Sequence, residues 1–148
     1  MHSLVRPFLR PVGRYLTVVA LGNLVWEVAQ LPFYTLWVEG TRAQIGFALI
    51  HCTLGDVLIG VTSLFAALFL MCALFWPTEG FRRVACATVI LALGYTIFSE
   101  WLNVHVRHTW AYRDIMPTLP WIGTGLSPLL QWLVVPLVAL WYVSKLQR

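Results

Sequence analysis

Residues 55–76 read GDVLIGVTSLFAALFLMCALFW, and this stretch decides the fold. Asp56 is its only charge. As a helix rising about 1.5 Å per residue, it would cross the roughly 30 Å hydrocarbon core of a bilayer. Extended back to residue 43, the apolar run is too long for one straight span. It either tilts steeply or begins with turns around residues 45–50 lying along the interface. Three further apolar stretches of spanning length surround it. Helices are therefore expected roughly over residues 15–38, 43–76, 84–106 and 124–143. The fold class is all-α: an integral membrane bundle of about four transmembrane helices, forming a single transmembrane domain over residues 1–148.

Composition agrees with this reading. Of the 148 residues 59% are apolar and only 11% charged, whereas a soluble domain carries about a quarter charged residues. Eight Trp and five Tyr suit two interfacial belts. The net charge of +4 is modest, and no Lys/Arg run interleaves with aromatics, so no nucleic-acid partner is expected. Cys52, Cys72 and Cys86 are odd in number and lack CxxC spacing, which argues against a disulfide framework or zinc knuckle. Arg6, Arg10 and Arg14 before an apolar run resemble the start of a signal peptide. However, that run continues to about Val38 and includes Asn23, Glu27 and Gln30, whereas a cleavable apolar region is about 7–15 residues long. It reads as a retained first helix.

The connections carry turn chemistry: Glu39-Gly40-Thr41-Arg42, then Pro77-Thr78-Glu79-Gly80. The longest, residues 108–123, holds Pro117 and Pro120 together with Trp110, Tyr112, Met116 and Trp121. Such an aromatic loop is expected to lie on the membrane surface and cover the bundle. One side of the membrane holds Arg6, Arg10, Arg14, Arg82, Arg83, Lys145 and Arg148. The other holds Arg42, Arg107 and Arg113, completing the ten Lys and Arg. The positive-inside rule places the richer side, with both termini, in the cytoplasm, and a bacterial inner membrane is the expected location.

Polar residues within the spans fall in rows. Asn23, Glu27, Gln30 and Tyr34 share one helix face, being spaced +4, +3 and +4. Cys52, Asp56, Gly60 and Ser63 share another, with His51 about 100° around from Cys52. On the third helix Thr96, Glu100 and Asn103 align, with His105 about half a turn beyond. On the fourth, Thr124, Ser127 and Gln131 align, with Pro128 expected to free a backbone carbonyl nearby. Ionisable residues in a span cost roughly 2.5–3.5 kcal/mol each and mark functional sites. These rows are expected to converge on a pocket open to the outer leaflet. Glu27, Asp56 and Glu100 cannot all be ionised in a dry site without counter-charge, which makes them usable acids and bases. The candidate catalytic residues are Glu27, Asp56, Glu100 and His51. Asn23, Gln30, Asn103, Gln131, Trp101, Trp110 and Tyr112 are candidate ligand contacts. Asn, Gln and Ser on helix faces also serve as interhelical fastenings, and the tryptophans as interface anchors.

The stretch Glu27-Val-Ala-Gln30-Leu31-Pro32-Phe33-Tyr34, with His51 on the next helix and Pro128 and Pro136 on the last, resembles the EXPERA domain. That is the membrane bundle of emopamil-binding sterol isomerases and the sigma-2 receptor. The resemblance covers the first two helices and the end of the fourth. It implies proton-handling roles for Glu27 and His51, acting on a sterol or an amphiphilic amine. Loop lengths differ, and Glu100-Trp101-Leu102-Asn103-Val104-His105 has no counterpart. The chain as a whole also looks like small bacterial inner-membrane proteins, which implies a location but no chemistry.

Three functions follow. The first is acid/base chemistry on, or binding of, an amphiphilic lipid or isoprenoid, with no cofactor required. The second is a metal site from His51, Asp56, Glu100 and His105, although no HxxxH or ExxH pair occurs and His51 and Asp56 lie about 140° apart around their helix. Haem would have only His51 as a well-placed axial ligand, and Met71 and Met116 are too distant to suggest a copper path. The third is a non-enzymatic subunit or assembly factor of a membrane complex, or a homo-oligomer, with Gly55, Gly60, Gly94, Ala85 and Ala92 as helix contacts. No nucleophile elbow or nucleotide loop is present.

Overall fold

The computed structural model describes residues 2–146, and its helices are α1 (His2–Gln30), α2 (Leu36–Glu39), α3 (Arg42–Leu70), α4 (Phe81–Trp101) and α5 (Leu126–Lys145). Four stretches, Leu9–Phe33, Arg42–Leu70, Phe81–Val106 and Leu126–Lys145, are long and apolar enough to cross a membrane. Helix α1 packs on α3 and α5, and α4 also packs on α3 and α5. The bundle is thus a four-cornered ring of alternating direction, an all-α membrane bundle.

Helix ends follow local chemistry. α1 stops at Gln30 rather than near Val38, because Pro32 sits in the tight turn Leu31–Phe33 and a proline disfavours helical geometry in the residue before it. The chain then makes one short turn, α2, before α3. Thr41 caps α3 with a reciprocal pair: its hydroxyl accepts from the Gln44 N–H at 3.3 Å, and its own N–H donates to Gln44 Oε1 at 2.8 Å. α3 is one unbroken helix of 29 residues, so residues 45–50 belong to the span and not to an interfacial segment. It ends at Leu70, six residues before Trp76, and residues 71–80 form the turn into α4, where Gly80 supplies the left-handed φ of 67°. α4 closes with a wider, π-helical turn over Leu102–Val106. In α5, Pro128 occupies the first turn, where its missing N–H costs nothing. It therefore frees no helix carbonyl, and the Thr124 carbonyl accepts from Leu119 N–H at 2.9 Å. Pro136 lies in the α5 interior.

One half of the ring is apolar: Tyr15, Val19, Leu64, Ala67, Val84, Ala139, Leu140 and Val143 form its core. Close approach is set by Gly60, where a Cβ would meet Val19 Cγ1 at 2.8 Å, and by Gly22, where it would meet Val135 Cγ1 at 2.9 Å. Ala92 is buried, but Gly55 and Gly94 have open space around them and make no such contact. Arg10, Arg14, Arg82, Arg83 and Lys145 lie at the end of the bundle that includes the 71–80 turn, and Arg42, Arg107 and Arg113 lie at the other. Of the remaining topology signals, Arg148 and the Arg6 side chain fall outside what is described.

Candidate functional site

The other half of the bundle is polar. Gln131, from α5, is almost fully buried. Its Nε2 donates to Asn23 Oδ1 at 3.0 Å, Glu27 Oε1 at 3.1 Å and Asp56 Oδ2 at 3.0 Å. Facing three oxygens, only the nitrogen end of the amide fits. Gln30 Nε2 donates to Glu27 Oε1 at 2.7 Å and to Gln131 Oε1 at 3.2 Å. Ser127 Oγ donates to Gln30 Oε1 at 2.9 Å and accepts from the Trp26 indole at 3.2 Å. Three helices thus meet through one network: the Asn23–Glu27–Gln30 face of α1, Asp56 of α3, and Ser127 and Gln131 of α5.

The network is short of donors. An amide nitrogen has two hydrogens, and Gln131 presents them to three acceptors. Among the described residues no cation joins the cluster. The Glu27 and Asp56 carboxyls, from α1 and α3, converge on the same Gln131 nitrogen, and an ionised carboxylate only accepts. Meanwhile Asn23 Nδ2 is buried without an acceptor, so one strong donor is left unused beside the acids.

A third acid lies toward the same end. Glu100, the buried penultimate residue of α4, accepts a short hydrogen bond from the Tyr112 hydroxyl. That hydroxyl in turn accepts from Gly125 N–H at 3.0 Å. Tyr112 belongs to the long loop, which lies over the bundle and pairs with the α1–α3 connection. Thr35 N–H donates to the Ala111 carbonyl at 3.0 Å, Arg113 N–H to the Phe33 carbonyl at 2.8 Å, and Arg113 Nη1 to the Pro32 carbonyl at 2.8 Å. The Tyr34 and Tyr112 rings meet with centroids 5.5 Å apart. Burial raises the Tyr34 phenol well above its ordinary pKa, and the charges of Glu100, Tyr112, Glu27 and Cys52 add to this. Tyr112 is raised as well, first by burial and then by the Glu100 charge.

The structure brings together Asn23, Glu27, Gln30, Asp56 and Gln131, and sets Glu100 and Tyr112 beside them. It separates the others. His51 is exposed and stacks on Phe47, with centroids 5.5 Å apart. Trp101 is exposed. Asn103 donates to the Ser99 carbonyl at 2.9 Å and fastens the π turn. Trp110 lies near Glu100, with its indole N–H lacking a good acceptor. Exposed His105 lines a groove of about 490 Å³ with Trp101, Trp121, Ile122 and Gly123. Among the described residues no three His, Cys, Asp or Glu side chains gather as a metal site, so the four metal candidates do not form a ligand set. Two parts of the site escaped the helical spacing: Trp26, which lies off the Asn23–Gln30 row, and the hub role of Gln131, whose row with Thr124 and Ser127 marks a face of α5 but not the residues that face meets.

Compared with known proteins, the chain matches no family model, no curated protein and no solved structure. The EXPERA likeness therefore rests on its short motifs alone.

Proposed function

We propose that the protein is an inner-membrane bundle with both termini cytoplasmic, and that its Glu27–Asp56–Gln131 cluster handles a proton for an amphiphilic lipid or isoprenoid. One observation carries the reading: two carboxyl groups from different helices meet on one amide nitrogen, at 3.1 and 3.0 Å, with no cation beside them among the described residues. Helix fastening alone needs no acid at this depth, and each one is costly. A hydroxyl or ammonium head would supply the donors that the cluster lacks, and Asn23 Nδ2 offers a donor to an incoming oxygen. With an alkene substrate, one carboxyl adds a proton to one carbon while the other takes a proton from a neighbouring carbon. The double bond shifts and the proton count of the site is unchanged. The loop over Glu100 and Tyr112 would have to lift for entry.

The test is native mass spectrometry of the detergent-purified protein beside Glu27→Gln. A bound amphiphile is expected in the wild type, with occupancy falling about tenfold or more in the variant. Equal occupancy in both would overturn the reading. A second reading, a non-enzymatic subunit whose cluster only fastens helices, is favoured by the placement of the grooves: Glu27, Asp56 and Gln131 line neither the groove beside Arg10 and Tyr142 nor the groove beside His105 and Trp121. Absence of any bound amphiphile, with cluster variants altering stability alone, would select it.

A further inference from the structure

At the opposite, basic end of the bundle, α1 and α5 leave a groove of about 620 Å³ between them. It is lined toward that end by Arg10, Gly13, Arg14 and Tyr142 and, farther along α1, by Val18 and Leu21. Arg10 and Arg14 are four residues apart, which puts both on one helix face about 6 Å from each other. Among the described residues neither forms an ion pair. The nearest acid on α1 is Glu27, about 20 Å farther along the helix. A Cβ on Gly13 would touch nothing within 4 Å, so the glycine leaves open space in the groove beside the two arginines. The groove is therefore cationic where it meets the headgroup region and apolar where it runs into the hydrocarbon.

We propose that this groove is a binding site for an anionic phospholipid, with its phosphate held between Arg10 and Arg14 and an acyl chain lying over Val18 and Leu21. Guanidinium groups match phosphate oxygens in planar, two-point contacts, and the Tyr142 hydroxyl, at the same rim, is a further donor. A free phosphate would leave the apolar floor uncovered, whereas a phospholipid covers both parts. Basic pockets between helices at the cytoplasmic face are the expected form of such sites. The proposal is independent of the acid cluster at the other end.

The experiment is native mass spectrometry of the full chain titrated with an equimolar mixture of phosphatidylglycerol and phosphatidylcholine of identical chains. A preference for the anionic lipid on the order of tenfold is expected. It should collapse in the double variant Arg10→Gln/Arg14→Gln and survive in Arg82→Gln/Arg83→Gln, which removes the same charge from the same end. Gly13→Leu keeps every charge, suits a helix better than glycine and fills the open space, so it should also lose the preference without unfolding. Equal binding of both lipids in the wild type would overturn the proposal. So would a preference surviving Gly13→Leu, which would mean general attraction to a basic surface. Displacement by millimolar inorganic phosphate would overturn it too, since the site would then bind phosphate and not lipid.

Discussion

Gln131 reaches from α5 to α1 and α3 through a single nitrogen. Replacing it with leucine keeps the volume but leaves Asn23, Glu27 and Asp56 without their shared donor. Gln131→Leu should lower the unfolding free energy by about 2 kcal/mol, read by titration with a denaturing detergent in mixed micelles. Ser127→Ala, which removes two more peripheral bonds, should cost about 0.6 kcal/mol for each. If the two variants proved equally stable, Gln131 would not be the hub. Tyr112→Phe strands both the Glu100 carboxyl and the buried Gly125 N–H. A loss of about 1–3 kcal/mol is expected, with faster amide exchange at Gly125 as its local signature. Unchanged exchange there would rule out the latch. At this scale, helical spacing alone assembled Asn23, Glu27 and Gln30, because all three lie within one regular helix. The same arithmetic already set His51 about 140° from Asp56, and the exposed histidine obeys it. The adjacency of Gln131 to those acids depends on how α5 is rotated against α1, which spacing within one helix does not encode.

Among the elements, the loop and the α1–α3 connection hold each other through a few backbone hydrogen bonds around Tyr34 and Tyr112. Neither stretch alternates like a strand, so this pairing left no periodic trace, although the aromatic content marked the loop as a cover. The two phenols tie the pairing to pH. Both titrate above their ordinary value of 10.0, so the folded chain holds these protons more tightly than the unfolded chain does. Their contribution to stability is complete below pH 10.0 and is lost as pH rises above it. In an alkaline titration followed by tyrosinate absorbance, two phenols should ionise only as the loop detaches, seen as a rise in amide exchange at Thr35 and Arg113. Ionisation of all five tyrosines in one step, with those amides still protected, would count against it. The start of α3 was legible from the turn residues 39–42, but the end of α1 was not: the apolar run carries on to Val38, past the Pro32 turn that stops the helix. The π turn after Trp101 had no such marker.

For the whole molecule, the number of spans and the segregation of basic residues could be read directly, since both follow from composition and order along the chain. Sidedness is a separate matter, and exposed Cys72 in the 71–80 turn reports on it. With Cys52 and Cys86 replaced by alanine, a membrane-impermeant maleimide should leave Cys72 unlabelled in intact cells and label it after lysis. Labelling of intact cells would invert the proposed topology. The helices also differ in length: α3 has 29 residues and α5 has 20, about 44 and 30 Å. Unless α3 tilts to shorten its reach, the two present a tall flank and a short one to the lipids around them. A bilayer that fits α5 is stretched along α3, and that elastic deformation relaxes when two tall flanks meet or when thicker lipid gathers there. The unequal helices thus give the protein a polarity within the plane of the membrane, one that would set which neighbours it drifts toward before any specific contact forms.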